Sequence, residues 1–347
     1  MKLLVSALEP SANLHLSPLL KALDTYEMYG IFDERFGKPF LPSRAFSVMG
    51  ILDALPKIRK AKHAIKVMSR MSLFVDKVLL IDSPAFNLPL AKAIRALNPS
   101  IEIIYYILPQ VWAWKPHRVA LIEKYCTRLA SILPFEQSFY TKAQYVGHPL
   151  LDEIPLFKVR ADKEGAIAFL PGSRKSEIAR LMPIFKELAS RIEGKEKLLV
   201  IPSHLDDDDI AKMYGVVGDF VVCRSAYEAF DRSEFAFVCS GTATLEAALV
   251  GVPFVLAYKA KAFDYWIGRK FVKLAHVGLA NILCDFAKMA PLHTELLQDA
   301  VTVENLLKVY ETTDKEAFFN HAKQLRSMLD HGSQEAMVKL LCEEYTR

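Results

Sequence analysis

The sequence predicts an α/β protein made of two Rossmann-like domains that face across a cleft, followed by a helical C-terminal tail. Three observations predict it. Short aliphatic or β-branched runs alternate with longer helix-patterned stretches, as in a parallel sheet covered by helices on both faces. The alternation occurs twice, on either side of Gly147-His148-Pro149-Leu150-Leu151-Asp152 and the polar stretch through Glu164. And 347 residues are too many for one typical domain but enough for two cores.

Within residues 1–152 the strand runs are Leu3–Ser6, Val78–Ile81, Ile101–Ile107, Ala130–Leu133 and Tyr145–Val146. Helical patterns at Ser17–Leu23, Leu88–Leu97 and Arg118–Tyr125 lie between them. Within residues 153–347 strands recur at Ala166–Leu170, Leu198–Ile201, Phe220–Val222, Ala236–Cys239 and Phe254–Tyr258. Helices there cover Glu177–Arg191, Ala226–Asp231 and Thr244–Val250. From Thr302 onward the pattern is helical, and these terminal helices are expected to pack back on the first domain or on a partner.

Composition narrows the class. Hydrophobic residues make up 52% and charged residues 24%, so the chain buries a core. A net charge of +4 is too weak to indicate nucleic acid. Five dispersed cysteines without a CxxC pair read as reduced thiols of a cytosolic protein. Leu3–Leu8 is too short for the apolar core of a signal peptide and reads as the first strand. No apolar run reaches bilayer-spanning length, so membrane contact would be peripheral.

Two strand-to-helix junctions carry phosphate-binding chemistry. One is Pro171-Gly172-Ser173-Arg174; the other is Ser240-Gly241-Thr242-Ala243-Thr244. Each places a glycine, a hydroxyl and free N–H groups at a helix start, which favours an anion. Arg174 adds a permanent charge able to grip phosphate with two hydrogen bonds. The competing reading is that these hydroxyls are ordinary helix caps. Glu246, one turn into the second helix, suits a pair of ribose hydroxyls or simply complements the helix dipole. Asp82, at the end of Val78–Ile81, is either a base held at the cleft edge or the opening of an Asx-type turn before Pro84. Neither GxGxxG nor GxxxxGK[ST] occurs, which argues against dinucleotide and P-loop chemistry. The run Asp206–Asp209 reads as a solvated helix start and not as a metal site. Trp112 and Trp114 read as core, and His148 as part of a turn.

In order along the chain, Pro109-Gln110-Val111-Trp112-Ala113-Trp114, Arg118, Leu133-Pro134-Phe135-Glu136, Gly147-His148-Pro149, Leu170-Pro171-Gly172-Ser173-Arg174 with Glu177, and Ser240-Gly241-Thr242-Ala243-Thr244-Leu245-Glu246 resemble the lipid-A-disaccharide synthase family. Val48-Met49-Gly50, Asp82 in its Ile-Asp-x-Pro-x-Phe-Asn segment, and Asn281 also match. The resemblance implies a GT-B fold and an inverting glycosyltransferase that needs neither cofactor nor metal. Its implied reaction moves 2,3-diacylglucosamine from UDP to the 6-hydroxyl of 2,3-diacylglucosamine 1-phosphate, forming a β-1′,6 disaccharide 1-phosphate and UDP. It makes Asp82 the base, and gives UDP and the donor sugar to Gly172, Ser173, Arg174, Ser240, Gly241, Thr242, Glu246, Asn281 and Gln298. Glu9, Ser11 and Asn87 fall on the acceptor side. It also implies a cytoplasmic enzyme peripheral to the inner membrane, and leaves open a homodimer that exchanges C-terminal elements. Other UDP-N-acetylglucosamine enzymes of this fold, and a catalytically silent nucleotide-sugar or lipid-binding module, are the alternatives.

The first turn departs from the family pattern. Leu8, Ala12 and Asn13 stand where two glycines and an Asp are usual, and Pro10 and Ala12 stiffen the turn and restrict close backbone approach. Ala85 and Ala280 replace an Asp and a Pro. Two stretches combine lysine and arginine with apolar residues, Ile51–Phe74 and Phe263–Val272, and could meet an anionic membrane or pack their apolar stripe on the core.

Overall fold

The computed structural model describes residues 1–47, 54–154, 156–160, 165–202, 205–260 and 274–343. Val48-Met49-Gly50 and Phe263–Val272, both singled out above, lie outside the described residues. The chain forms two compact units. The first is Met1–Asp152 together with the C-terminal segment from Leu329; the second is Glu153–Met328.

Among the described residues the first unit holds a seven-stranded sheet in the order β3-β2-β1-β4-β5-β6-β7. Its strands are β1 Lys2–Ser6, β2 Glu27–Phe32, β3 Leu41–Pro42, β4 Lys77–Ile81, β5 Glu102–Tyr106, β6 Arg128–Ser131 and β7 Ala143–Tyr145. Every pairing is parallel. Alternate residues of the central strands feed two separate cores. Leu4, Val78, Leu80, Ile103 and Tyr105 pack with Ala64 and Met68 of the helix Ala54–Met71 and with Leu90 and Ile94 of the helix Pro84–Leu97. Leu3, Val5, Leu79, Ile81, Ile104 and Tyr106 face the other way. They meet Leu16 and Leu19 of the helix Pro10–Ala22 and Met337, Leu340 and Leu341 of the helix Ser333–Cys342.

That helix, the last among the described residues, completes the second layer of the first unit. Several contacts fasten it. Asp152 accepts hydrogen bonds from the Gly332 and Gln334 N–H groups at 2.8 and 2.9 Å. Asp330 N–H donates to the Tyr145 hydroxyl, and the His148 N–H donates to the Asp330 carbonyl. Gly147, at φ +84°, lets the returning chain approach so closely that a Cβ there would lie 2.8 Å from the Asp330 oxygen. The Gly147-His148-Pro149 segment is therefore a docking point for the C-terminus.

The second unit holds β10-β9-β8-β11-β12-β13, again all parallel among the described residues. These are β8 Ala166–Leu170, β9 Lys197–Val200, β10 Val221–Cys223, β11 Ser233–Cys239, β12 Phe254–Tyr258 and β13 Thr294–Leu297. One face packs on the helix Lys175–Arg191 through Ile178, Leu181, Phe185 and Leu188. Phe169 stands at the centre, its ring 5.2–5.6 Å from those of Phe185, Phe220 and Phe237.

The predicted α/β class with two parallel sheets and a helical C-terminal region is the one observed. Three strands were not expected: β2, β3 and β13. β2 contains Gly30 and an exposed outer end, β3 has two residues, and β13 is only partly buried, so none carries the fully apolar run of a central parallel strand.

Candidate functional site

In the second unit β8 and β11 are hydrogen-bonded neighbours, with Leu170 opposite Val238. Their carboxyl ends release the two glycine-bearing turns side by side. A Cβ on Gly172 would lie 2.6 Å from Glu177 Oε2 and 3.1 Å from the Cys239 sulfur, and φ is +101°. Position 172 thus admits only glycine, for space and for backbone conformation. Glu177 folds back over this turn, accepting from Arg174 N–H at 3.3 Å and pairing with the Arg174 guanidinium at 2.8 Å. The arginine is held by its partner yet largely exposed. Burial, reinforced by Glu177, pushes the Cys239 thiol up to about 12, so this sulfur is not a nucleophile.

The second turn differs in that its hydroxyls are not helix caps. Gly241, at φ +149°, is the N-cap of the helix Thr242–Val250, and no side chain caps that helix. Ser240 and Thr242 therefore do not cap the helix; the Thr244 N–H donates to the Gly241 carbonyl at 3.2 Å, and the Thr242 and Ala243 N–H groups ahead of it have no partner within their own helix. A Cβ at Gly241 would meet nothing within 4 Å, so the backbone here is open to approach. Gly172, Ser173, Arg174, Ser240, Gly241 and Thr242 are thus brought together at one sheet edge.

Glu246 lies in the helix Thr242–Val250, partly buried. Burial raises its carboxyl to about pH 7, with the Glu153 charge adding to the shift. Gln298 follows β13 at φ +53°, and its Oε1 accepts the Ala260 N–H at 2.9 Å, linking the carboxyl ends of β12 and β13. Asn281 behaves otherwise than expected. Fully buried, it donates to the His293 carbonyl and to Glu295, and accepts from the Leu292 and His293 N–H groups. No hydrogen-bonding capacity is left for a ligand. Asn281 stitches the helix Leu279–Phe286 to β13.

In the first unit Asp82 follows β4 at the equivalent carboxyl edge. Asp82 and Ser83 both have left-handed backbones, φ +48° and +45°. Such a conformation costs about 1–2 kcal/mol for each non-glycine residue. A set of hydrogen bonds offsets it. Asp82 N–H donates to the Tyr106 carbonyl, while the Asp82 carbonyl accepts from Asn87 Nδ2 at 2.7 Å and from the Tyr105 hydroxyl at 2.8 Å. Asn87 also donates to the Ile81 carbonyl and accepts from Ser6 Oγ. Expected to face the acceptor, Asn87 is instead fully buried and spends its whole amide on clamping β1, β4 and Asp82 together.

The Asp82 carboxyl is raised above the usual carboxylate range, chiefly by burial, with the Ser83 N–H and nearby His15 opposing. His15 was not foreseen as a neighbour of Asp82. It lies on the helix Pro10–Ala22, and nothing in its spacing marks it. Glu9 is the N-cap of that helix; it and Ser11 are exposed at the end of β1, which pairs with β4. The altered first turn is closed by Asn13, whose amide donates to the Ala7 and Glu9 carbonyls and whose oxygen accepts the Asp33 N–H. An aspartate could not make those two donations.

The Pro109–Trp114 segment leaves β5 beside Asp82. Trp112 donates to Glu136 at 3.1 Å and its ring stands edge-on to Phe135 at 5.3 Å, so it braces the loop as core aromatics do. Burial first of all brings the Glu136 carboxyl to about pH 7. Asp206 caps the helix Asp207–Tyr214 by accepting from Asp209 N–H.

The sequence profile of the lipid-A-disaccharide synthetase family matches residues 3–339. The chain is 50% identical to the lipid-A-disaccharide synthase of Campylobacter jejuni (strain RM1221), covering 98% of this chain and 99% of that one. It is 46% identical to the lipid-A-disaccharide synthase of Helicobacter pylori (strain G27), covering 95% of each. Among solved structures, Acinetobacter baumannii MurG aligns with TM-score 0.56 at 14% identity, covering 98% of both chains. The S. aureus MnaA–UDP complex aligns with TM-score 0.60 at 11% identity, covering 98% of this chain and 95% of that one. These two likenesses concern the fold alone.

Proposed function

The chain belongs to the lipid-A-disaccharide synthetase family, and from that premise we propose how its residues divide the work of joining two acylated glucosamine units. The protein is a glycosyltransferase of GT-B fold. Its reaction transfers 2,3-diacylglucosamine from UDP to the 6-hydroxyl of 2,3-diacylglucosamine 1-phosphate.

In one inverting displacement the bond from the donor's anomeric carbon to the UDP oxygen breaks, and its electron pair leaves on the β-phosphate. The acceptor O6 bonds to that carbon from the opposite face, and its proton goes to a base. The Gly172 and Gly241 turns hold the diphosphate with backbone N–H groups at the sheet edge, and Arg174 neutralises the developing charge. Gln298 and Glu246 serve the nucleoside and donor sugar. Asp82 takes the proton. Its raised pKa makes it a better base than an ordinary aspartate, and the Asn87 clamp fixes where it stands. The adjacency of the two turns on β8 and β11 is the observation that carries the donor half of this reading.

The acyl chains demand a membrane surface, and we assign one to the amino-terminal half of the helix Ala54–Met71. In a parallel crossover this end lies at the carboxyl edge of the sheet, where Asp82 stands. Lys60 sits over the Phe46 ring at 5.6 Å, and that ring is 5.7 Å from Phe86, four residues past Asp82. Ile58, Arg59, Lys60 and Lys62 are exposed there. Exposed Leu73 and Phe74 follow the other end of the helix, about 27 Å away at 1.5 Å per residue, too far to deliver lipid to Asp82. Among the described residues no helix is long and apolar enough to cross a membrane, which fits a peripheral enzyme at the cytoplasmic face.

Asp82→Asn is expected to lower UDP release about 10²–10⁴-fold with KM for the donor little changed. Arg174→Ala is expected to weaken both, by about tenfold or more. Turnover near wild type in either variant contradicts the assignment. Glu246 as a carboxylate accepts two ribose hydroxyls, whereas the acid below about pH 7 accepts less well. UDP affinity by calorimetry should therefore fall from pH 8 to pH 6 more in wild type than in Glu246→Gln; parallel profiles would exclude the contact. The triple change Arg59→Glu, Lys60→Glu and Lys62→Glu should abolish flotation with phosphatidylglycerol vesicles while melting is unchanged, and undiminished flotation would place the membrane contact elsewhere.

A further inference from the structure

One strand over from Asp82, the loop that leaves β5 ends in Lys115-Pro116-His117-Arg118 and turns into the helix Arg118–Tyr125. This helix lies against the helix Pro84–Leu97 that Asp82 introduces. The loop is stiff. Val111 N–H donates to the Pro109 carbonyl, Ala113 and Trp114 N–H groups donate to the Gln110 carbonyl, and the Tyr140 hydroxyl donates to the Pro109 carbonyl. Lys115 is held at φ +54°, its ammonium 5.0 Å from the centre of the Trp114 ring.

Arg118 is half-buried, and its guanidinium makes no hydrogen bond or ion pair among the described residues. Many other arginines in the chain are committed, as Arg95 is to four backbone or side-chain oxygens. Tyr105 lies within the field of Arg118. The hydroxyl of that buried tyrosine bonds the Asp82 carbonyl at 2.8 Å. Burial raises its pKa most, the Asp82 carboxylate adds to this, and Arg118 opposes it. Asp82 and the loop that carries Arg118 thus leave the carboxyl ends of neighbouring strands, with the Tyr105 hydroxyl on the Asp82 carbonyl.

We propose that Arg118, with Lys115 beside it, binds the phosphomonoester of the acceptor and so sets which sugar hydroxyl is presented to Asp82. The proposal rests on the transferase reading above and adds the acceptor's anion site to it. A phosphomonoester carries about two negative charges near neutral pH. Bringing it close to the Asp82 carboxylate without an intervening cation is repulsive in a poorly solvated site. A guanidinium on a stiff loop supplies both the opposing charge and two directed hydrogen bonds. In the transferase reading above the donor's diphosphate is taken by the turns that follow β8 and β11, so Arg118 is not needed there.

Steady-state kinetics in neutral detergent micelles tests this, comparing 2,3-diacylglucosamine 1-phosphate with the same acceptor lacking its phosphate. Wild type should prefer the phosphorylated acceptor. Arg118→Ala should raise KM for it by tenfold or more, while KM for the donor and for the phosphate-free acceptor stays within twofold, and Arg118→Lys should recover part of the loss. Equal losses with both acceptors, or none, would overturn the proposal. So would unchanged acceptor kinetics with weakened flotation on phosphatidylglycerol vesicles, which would give Arg118 to lipid headgroups. If wild type transfers to neither acceptor, the transferase reading fails first and the two failures are told apart.

Discussion

Burying a parallel sheet on both faces leaves the loops at its carboxyl edge as the backbone most able to meet a ligand, and in the second unit that edge depends on how tightly the Gly172 turn packs against the end of β11. Any side chain at 172 would strike both Glu177 and Cys239. Glu177 would have to leave its place over the turn, and Arg174, which it holds by an ion pair, would lose its orientation. The neighbouring Gly241 turn needs the opposite property. Nothing crowds it, and no side chain caps the helix it opens. One turn is closed by packing so that its arginine is placed; the other is left open so that its N–H groups are available.

The first unit applies the same edge differently. There the group we propose as the base is a side chain, and the backbone that carries it is held in an unfavourable conformation. Two successive left-handed residues would not persist at Asp82 and Ser83 unless their surroundings over-determined them. Asn87 and Tyr105 do so by sharing the Asp82 carbonyl, which leaves the carboxyl itself to face the Ser83 N–H and the field of His15. Strain of this kind is often stored where function needs a fixed geometry. The partial burial that raises the carboxyl's pKa is a consequence of that placement.

Much of this was legible in the residues. Central strands such as Val78–Ile81 and Ala166–Leu170 announce themselves by unbroken apolar runs, and glycines at the ends of strands mark the turns. Edge strands such as β3 and β13 carry no such run because helices cover less of them and water meets more. Amides were the residues most easily misplaced. A motif shows that Asn87 and Asn281 matter but not whether they point at a ligand or inward, and both spend every polar atom on the fold. Groups paired through space rather than sequence were equally hidden. Glu153 beside Glu246 and His15 beside Asp82 come from elements far apart in the chain. Family membership then supplies what geometry leaves open, because a fold shared with MurG and MnaA at under 15% identity does not specify the acceptor.

The most direct measurement is a crystal structure of this protein with UDP bound. The diphosphate should lie within hydrogen-bonding distance of N–H groups in both the Gly172-Ser173 turn and the Gly241-Thr242 helix start, with the Arg174 guanidinium on its oxygens. A diphosphate seated anywhere else, or contacting only one of these turns while Arg174 stays on Glu177, would contradict the placement of the donor.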